Sequence, residues 1–498
     1  MTDRGLDLFE KKVFKYCTRY GLLDADVIIT GLSGGPDSVC LITLLNKFAK
    51  TMDCTYDIVA VHVNHNLRPV DCDKDERFVR DLCLDMGIKL FSYSEDVEKA
   101  AKDLKISEEE AGRRIRYEHF RDVAASISPG RYVIATAHHL GDLAETMMMN
   151  LFRGTGLDGL CAMKPVDGDL IRPLLCVDKD EIEDYLQKNG IGYVTDRTNM
   201  EEIGTRNVWR NRIFPVIGEN NARDPVEALA SAHSLLSLDK DYIDSVADSS
   251  YGRYLKLLGE YRALDLEFCK LHDAVATRVI RRLWMDSFGN MTDLEAVNTG
   301  YALEFAGRSD TSGFVTLDMP FARTLWRFEG LMGFCNKEDI EPLTIRLAEG
   351  EGLIASPSEV NIPVKEGMCG KIPGTSLYIT SNIVENIDNL SYNNHSWICP
   401  LDLPGLKGRP LAVRNGCGDS KFTKAGALGG KLLKDVFADR KVPRPARGYV
   451  LAVTSEDTAL WVPGIGHAAG FTDDLSRARF LEEGYEGRYL VVRISQED

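Results

Sequence analysis

The chain has 498 residues, 44% of them hydrophobic and 27% charged, which is ordinary for a soluble protein and long enough for two to four domains. It opens Met1-Thr2-Asp3-Arg4 without an apolar run, holds no stretch of about 20 apolar residues, and pairs none of its 12 cysteines as Cys-x-x-Cys, so a signal peptide, a membrane span, a zinc ribbon, an iron–sulfur cluster and a dithiol centre are not expected, and a cytoplasmic protein with reduced thiols is. The net charge of −16 argues against a nucleic-acid partner unless basic residues cluster locally.

The first part of the chain alternates strand and helix patterns. Apolar runs at Val27–Thr30, Ile58–Val63, Ile88–Tyr93 and Tyr132–Thr136 read as strands. Helical patterns lie near 38–49, 73–86, 108–125 and 142–152. That alternation predicts βαβ units, right-handed crossovers and a parallel sheet. Ligands in such sheets sit at the carboxyl ends of the strands.

Directly after the first strand comes Gly31-Leu32-Ser33-Gly34-Gly35-Pro36-Asp37-Ser38. Gly34 and Gly35 let backbone N–H groups approach an anion, and Ser33 and Ser38 add hydroxyl donors. The loop opens a helix, whose N-terminus favours phosphate. Asp37 would be repelled from a bare anion but suits pyrophosphate held through a metal ion. No Gly-Lys-Ser/Thr follows these glycines and the loop is not a Gly-x-Gly-x-x-Gly, which excludes the Walker and dinucleotide patterns for it. A plain Gly/Ser turn is the alternative, and the full string between a strand and a helix disfavours it.

Further strings follow in order. The second strand ends His62-Val63-Asn64-His65-Asn66-Leu67-Arg68-Pro69, a polar cluster placed to line a nucleotide site. Arg113 and Arg116 share one face of a predicted helix, where arginine clamps phosphate, although the residues alone favour a solvated face paired with Glu109 and Glu110. After the fourth strand, His138-His139-Leu140-Gly141-Asp142-Leu143-Ala144-Glu145 sets Asp142 and Glu145 three apart on a new helix. Two such carboxylates near a phosphate site need a cation, either a metal ion or a substrate ammonium. A zinc site from His138, Asp142 and Glu145 is the rival, weakened by the lack of His-Glu-x-x-His. Asp142 also suits a helix cap. Gly154, Gly156 and Gly159 suggest a mobile loop beside the site. Asp196-Arg197-Thr198-Asn199 follows, and then Arg206, Trp209, Arg210 and Arg212 offer phosphate contacts and base stacking, with a core role for Trp209 as the alternative.

Beyond Pro215 the pattern turns helical, giving a mostly helical middle domain over 218–338. From 339 to 498 short alternating runs return at Leu343–Leu347, Ser376–Ile379, Pro410–Arg414, Tyr449–Val453, Ala459–Val462 and Tyr489–Ile494, which predicts a β-rich α+β region. The segment 350–400 reads as a linker between two small modules. Basic residues concentrate at 206–212, 278–282 and 421–447, the last including Lys431 and Lys434. Each cluster is either a solvated face or an RNA contact.

The loop at 33–38 resembles the Ser-Gly-Gly-x-Asp-Ser loop of the PP-loop pyrophosphatases, which split ATP between the α and β phosphates. Taken in order, the strings at 27–38, 62–69, 109–117, 135–146, 151–160, 171–175 and 196–215 resemble one family of that group, the tRNA(Ile)-lysidine synthetases. Gly418-Asp419-Ser420-Lys421-Phe422 and Gly430 to Pro443, within a module at about 405–485, are similar to the family's C-terminal tRNA-binding module. The resemblance implies an α/β fold with an adenine nucleotide α-hydrolase-like PP-loop catalytic domain over 1–217. It implies a ligase that adenylates the wobble cytidine of tRNA(Ile) with a CAU anticodon, releasing pyrophosphate, and then joins free L-lysine to C2 with loss of AMP. ATP would lie on Ser33, Gly34, Gly35, Pro36, Asp37, Ser38 and His65, with Mg²⁺ on Asp37. Arg113 would steady the α-phosphate, and Asp142 and Glu145 would bind the lysine ammonium. Arg206, Arg210, Arg212, Lys431 and Lys434 would contact tRNA, no membrane is involved, and a homodimer stays open. The family usually has an acid at position 141 and Gln at 143, where this chain has Gly141 and Leu143.

Two other classes remain at this stage. One is another PP-loop enzyme, a tRNA thiolase or an amidotransferase, weakened by the missing Cys-x-x-Cys and the missing glutaminase domain. The other is a non-catalytic tRNA-binding protein, which the intact Asp37, Arg113, Asp142 and Glu145 argue against.

Overall fold

A computed structural model describes residues 5–496 except 53, 65–68, 128–130, 195–204, 222, 292–293, 295, 309–312, 386, 388–395, 428 and 471–487. The chain divides into two compact units, Met1–Tyr242 and Ile243–Asp498.

In the first unit, β1 (Val27–Gly31), β2 (Asp57–Asn64), β3 (Lys89–Ser94), β4 (Tyr132–Ala135), β5 (Val166–Asp167) and β6 (Leu170–Ile171) form one sheet in the order β3-β2-β1-β4-β6-β5. All neighbours are parallel except β5 against β6. Around it lie α1 (Leu8–Tyr20), α2 (Pro36–Thr51), α3 (Pro69–Met86), α4 (Val97–Leu104), α5 (Glu108–Ile127), α6 (Leu140–Phe152), α7 (Leu157–Leu160) and α8 (Lys179–Lys188). Then come α9 (Thr205–Val208), a π-helical turn at Trp209–Ile213, α10 (Phe214–Glu219) and α11 (Pro225–Tyr254). The expected strands and helices are all present.

Both faces of the sheet are covered, which is why its strands read as continuous apolar runs. Ile28, Ala60 and Ala135 face a core shared with Val13, Phe14, Leu41, Leu45, Phe48 and Leu186 from α1, α2 and α8. Val27, Ile29, Val59, Val61 and Ile134 point the other way, to Phe120, Val123 and Ala124 of α5. Gly31 is required by that packing, because a Cβ there would lie 2.7 Å from Phe120 Cζ. The strand order reverses at β1, with β2 on one side and β4 on the other. Thr30 stands opposite Ala135 and Gly31 opposite Val61. The loops after β1 and β4 therefore leave the sheet side by side, at its ligand-binding edge.

In the second unit, β7 (Leu255–Leu258), β8 (Tyr261–Asp265), β9 (Val315–Met319), β10 (Arg323–Phe328) and β11 (Leu331–Asn336) make an antiparallel sheet in the order β7-β8-β11-β10-β9. One face packs on α12 (Asp273–Phe288) and α13 (Ala296–Gly307) around Trp284. The other packs on α14 (Ile340–Gly350) through Leu343 and Leu347. Two corrections follow. The helical middle segment contains a sheet, because strands as short as Leu-Lys-Leu-Leu at 255–258 show no clean alternation. The strand expected at Leu343–Leu347 is helix, because apolar residues at 343, 345 and 347 fit alternation while 343 and 347 equally fit one helix face.

The remaining strands are β12 (Asn361–Val364), β13 (Met368–Lys371), β14 (Leu377–Val384), β15 (Ser396–Asp402), β16 (Leu411–Arg414), β17 (Lys421–Phe422), β18 (Lys431–Leu432), β19 (Ala452–Ser455), β20 (Thr458–Val462), β21 (Gly466–His467) and β22 (Tyr489–Gln496). They form two sheets, β12-β16-β19-β20-β17-β18 with β21 on β20, and β13-β14-β22-β15. Short helices α15 (Leu403–Leu406) and α16 (Leu433–Asp439) accompany them. The segment 350–400 is therefore not a linker. Its Val360, Val364, Ile372, Ile379 and Cys399 are core residues, on or beside strands of which β12 and β13 are only four residues long and interrupted by Pro363 and Gly370.

Gly31→Ala should lower stability by about 1–3 kcal/mol, because the added methyl overpacks the junction of β1 and α5. Urea unfolding checks this, and an unchanged midpoint would contradict it.

Candidate active site at the carboxyl edge of the first sheet

The loop after β1 is built for an anion. Gly34 has φ +90°, a conformation that side chains rarely adopt, and its carbonyl accepts the Val194 N–H at 2.9 Å. His62 of β2 anchors the start of the loop through Nδ1, 2.8 Å from the Leu32 carbonyl. The Ser33 and Ser38 hydroxyls lie 3.1 Å apart, and Ser38 donates back to the Gly35 carbonyl at 3.0 Å. α2 begins with Gly35 as its cap and Pro36 in its first turn, with no side chain closing its N-terminus. The first-turn N–H groups are the donors that a phosphate would engage.

Asp37 stands in that turn. Its Oδ1 is buried with no hydrogen-bond partner. Burial pushes its pKa above the ordinary value and Asp142 adds to this, while His139, Lys179 and Arg210 pull the other way.

The loop after β4 brings the second set. His139 caps α6: its Nδ1 accepts the Gly141 N–H at 3.0 Å, and its own N–H donates to Asp142 Oδ2 at 3.0 Å. Glu145, one turn on, is 1% exposed. Between the two carboxylates lies a guanidinium from the π-helical turn. Arg210 Nε donates to Glu145 Oε1 at 2.7 Å, and its Nη2 to Asp142 Oδ1 at 3.3 Å. The cation that this acidic pair requires is thus supplied by the chain itself. Glu145 Oε2 remains buried and without a partner.

The two acids are driven apart electrostatically. Burial opposes ionisation of Asp142, yet His139, His138, the His139 N–H and Arg210 outweigh it and hold the group below its ordinary pKa. Burial raises Glu145 despite Arg210. One carboxylate is held charged while its neighbour leans towards neutrality.

Other expected residues fall out as follows. Arg113 lies over the Tyr117 ring at 5.2 Å, in a surface cavity of about 540 Å³ that it lines with Arg114 and Arg121. Trp209 is buried against Phe152 and Phe214, with ring centroids at 5.4 and 5.8 Å, so it is a core anchor rather than a stacking platform. Arg210, expected to touch RNA, is engaged with Asp142 and Glu145. His65, Asn66, Leu67, Arg68 and Asp196-Arg197-Thr198-Asn199 lie outside the described residues. Gly141 is needed because a Cβ there would sit 2.8 Å from the His139 ring, and Leu143 packs into a small core with Met163 and Leu175. The glycine loop is tied down: Asn150 donates to the Gly159 carbonyl at 2.8 Å, and Lys240 of α11, itself 7% exposed, pairs with Asp158 at 2.9 Å. Lys240 gave no sequence signal, being one lysine in a helical pattern. In the second unit, Lys431 pairs with Asp439 at 2.6 Å and Lys434 with Asp419 at 2.9 Å, both at the surface.

Comparisons with known proteins place the chain among its relatives. Residues 8–217 match the family model described as PP-loop domain, and residues 411–482 match the TilS substrate C-terminal domain. The chain is 31% identical to a tRNA(Ile)-lysidine synthase of Caldanaerobacter subterraneus subsp. tengcongensis over 95% of its own length and 96% of that protein. It is 31% identical to one of Clostridioides difficile over 91% and 94%. Among solved structures, a crystal structure of a TilS C-terminal domain covers 28% of this chain and 99% of that one, at 22% identity and a TM-score of 0.23.

Arg210→Gln would leave two neighbouring acids without their guanidinium. It should cost about 3 kcal/mol of stability near pH 8. The loss should shrink as the pH is lowered from there, because Glu145, already raised by burial, takes up a proton sooner than an ordinary glutamate and then no longer needs a cation. Urea unfolding across that range tests this, and a loss independent of pH would contradict it.

Proposed function

The chain belongs to the tRNA(Ile)-lysidine synthase family, and from that premise we propose that it ligates L-lysine to C2 of the wobble cytidine of a tRNA(Ile) with a CAU anticodon. As a member it is a PP-loop ATP-dependent ligase that forms lysidine in tRNA. The finer steps are our own reading.

The β and γ phosphates of ATP lie in the loop Ser33–Ser38 against the N-terminus of α2. The buried, unpartnered Oδ1 of Asp37 fits a Mg²⁺ ion carried in with ATP, and Mg²⁺ is ordinarily held by one or two carboxylates together with substrate phosphates. That ion would offset the charge on the departing pyrophosphate. Arg113, free of ion pairs among the described residues, steadies the α-phosphate as the cytidine oxygen attacks it.

Lysine then enters as an ammonium. Asp142 and Glu145 already form a site for one cation, held by Arg210. The longer Arg210 contact, 3.3 Å to Asp142, gives way, and the ammonium takes that oxygen together with Oε2 of Glu145. An apolar or anionic side chain would find no counter-charge there, which is the basis of selection for lysine. The nitrogen forms its bond to C2 and AMP leaves. Arg206 and Arg212 guide the anticodon, and Lys431 and Lys434 grip the tRNA elsewhere. The ion pairs of Lys431 and Lys434 lie at the surface, where water screens them, so phosphates replace the carboxylates readily.

The observation that carries this reading is the pair of buried carboxylate oxygens, Asp37 Oδ1 and Glu145 Oε2, left unsatisfied at the edge where the loops after β1 and β4 meet. Incubating the protein with ATP, labelled lysine and bulk tRNA should put label into RNA with formation of AMP. Asp37→Ala should abolish AMP formation yet leave tRNA binding near normal. Unlabelled RNA with the wild-type protein, or normal turnover in Asp37→Ala, would refute the reading.

A further inference from the structure

Two acids one turn apart on α6, beside a loop suited to a magnesium-bearing nucleotide, would ordinarily attract a divalent ion of their own. Mg²⁺ is commonly held by one or two carboxylates, with waters and substrate phosphates completing its shell. A site meant for an ammonium has to keep such an ion out.

The contacts single out Arg210 for that task. Asp142 Oδ2 accepts the His139 N–H at 3.0 Å, and its Oδ1 accepts from Arg210 Nη2 at 3.3 Å. Glu145 Oε1 accepts from Arg210 Nε at 2.7 Å, while Oε2 is buried without a partner. With both acids ionised the pair carries two negative charges, and the guanidinium, which does not lose its proton in proteins, cancels one of them. The shorter contact is the one to Glu145. The backbone beside it is fixed, because Trp209 is buried against Phe152 and Phe214. Arg210 therefore stays on Oε1 when its longer contact to Asp142 opens. What remains is a single negative charge, presented by Asp142 and by Oε2 of Glu145.

We propose that Arg210 is a specificity-determining residue, holding the lysine site at one negative charge so that it takes a monovalent ammonium and refuses a divalent metal ion; this rests on the function proposed above. An ammonium neutralises that charge and gives its N–H donors to the waiting oxygens. A divalent ion would leave an uncompensated positive charge inside the protein, next to a guanidinium that repels it, and such buried charges are strongly disfavoured. Mg²⁺ also gives up its waters reluctantly, and a buried oxygen such as Oε2 of Glu145 has no room in contact with solvent for them. The ion that arrives with ATP thus stays with Asp37 and the phosphates.

The test measures lysine binding by equilibrium dialysis and Mn²⁺ binding by electron paramagnetic resonance, on the full chain with a non-hydrolysable ATP analogue. Excess Mn²⁺ should leave the lysine affinity of the wild type unchanged. Arg210→Gln should bind an additional Mn²⁺, and raising free Mn²⁺ about tenfold above that site's saturation should weaken its lysine binding about tenfold, as for two ligands sharing one place. Arg210→Lys, which restores a positive charge, should lose the additional ion again. Should Arg210→Gln fold poorly, Mn²⁺ should raise its unfolding temperature more than it raises that of the wild type. No additional ion and no such rescue in Arg210→Gln, an additional ion in Arg210→Lys, or Mn²⁺ displacing lysine from the wild type would each overturn the proposal. If the wild type bound no lysine at any metal concentration, with nucleotide and tRNA present, the proposed function itself would fail, whatever Mn²⁺ did in the variants.

Discussion

Buried carboxylates cannot stand uncompensated in a protein interior, and the first unit is arranged around that constraint. Asp37, Asp142 and Glu145 converge on one edge of the sheet, coupled to one another and to Arg210. In this structure a single guanidinium spans Asp142 and Glu145, and it leaves one oxygen of Glu145 and one of Asp37 without partners. The site therefore has an intrinsic demand for positive charge. A magnesium ion carried in by the nucleotide and a lysine ammonium are two cations that would meet it, and both belong to the proposed reaction.

The fold creates that demand through topology. A parallel sheet with its order reversed at β1 sends the loops after β1 and β4 out side by side, and each loop opens a helix. One helix start is left without a side-chain cap, which suits a phosphate. The other is capped by His139 and Asp142, which spends part of Asp142's charge on the backbone and keeps it ionised. Gly31 and Gly141 are small for different reasons, the first to admit Phe120 and the second to admit the His139 ring.

Much of this was legible in the residues. Strands such as Val27–Gly31 are buried on both faces and read as unbroken apolar runs, and the Ser-Gly-Gly-Pro-Asp-Ser string carries its own chemistry. Asp142 and Glu145 share a helix face by spacing alone. What was not legible came from contacts distant in sequence. The role of Arg210 depends on a π-helical turn bringing residue 210 onto residues 142 and 145, and no local pattern encodes that meeting. Trp209 read ambiguously because stacking on a base and packing against Phe152 have the same sequence signature. The antiparallel sheet of the second unit escaped because its first strands are four and five residues long. Leu343–Leu347 was misassigned because five residues fit both periods.

The central claim is that the cation site between Asp142 and Glu145 is where lysine is held. The most direct test is a crystal structure with lysine and a non-hydrolysable ATP analogue bound. The account predicts the lysine side-chain nitrogen within hydrogen-bonding distance of both acids, with the Arg210 Nη2 contact to Asp142 broken. Lysine seated elsewhere, with Arg210 still spanning the two carboxylates, would contradict it.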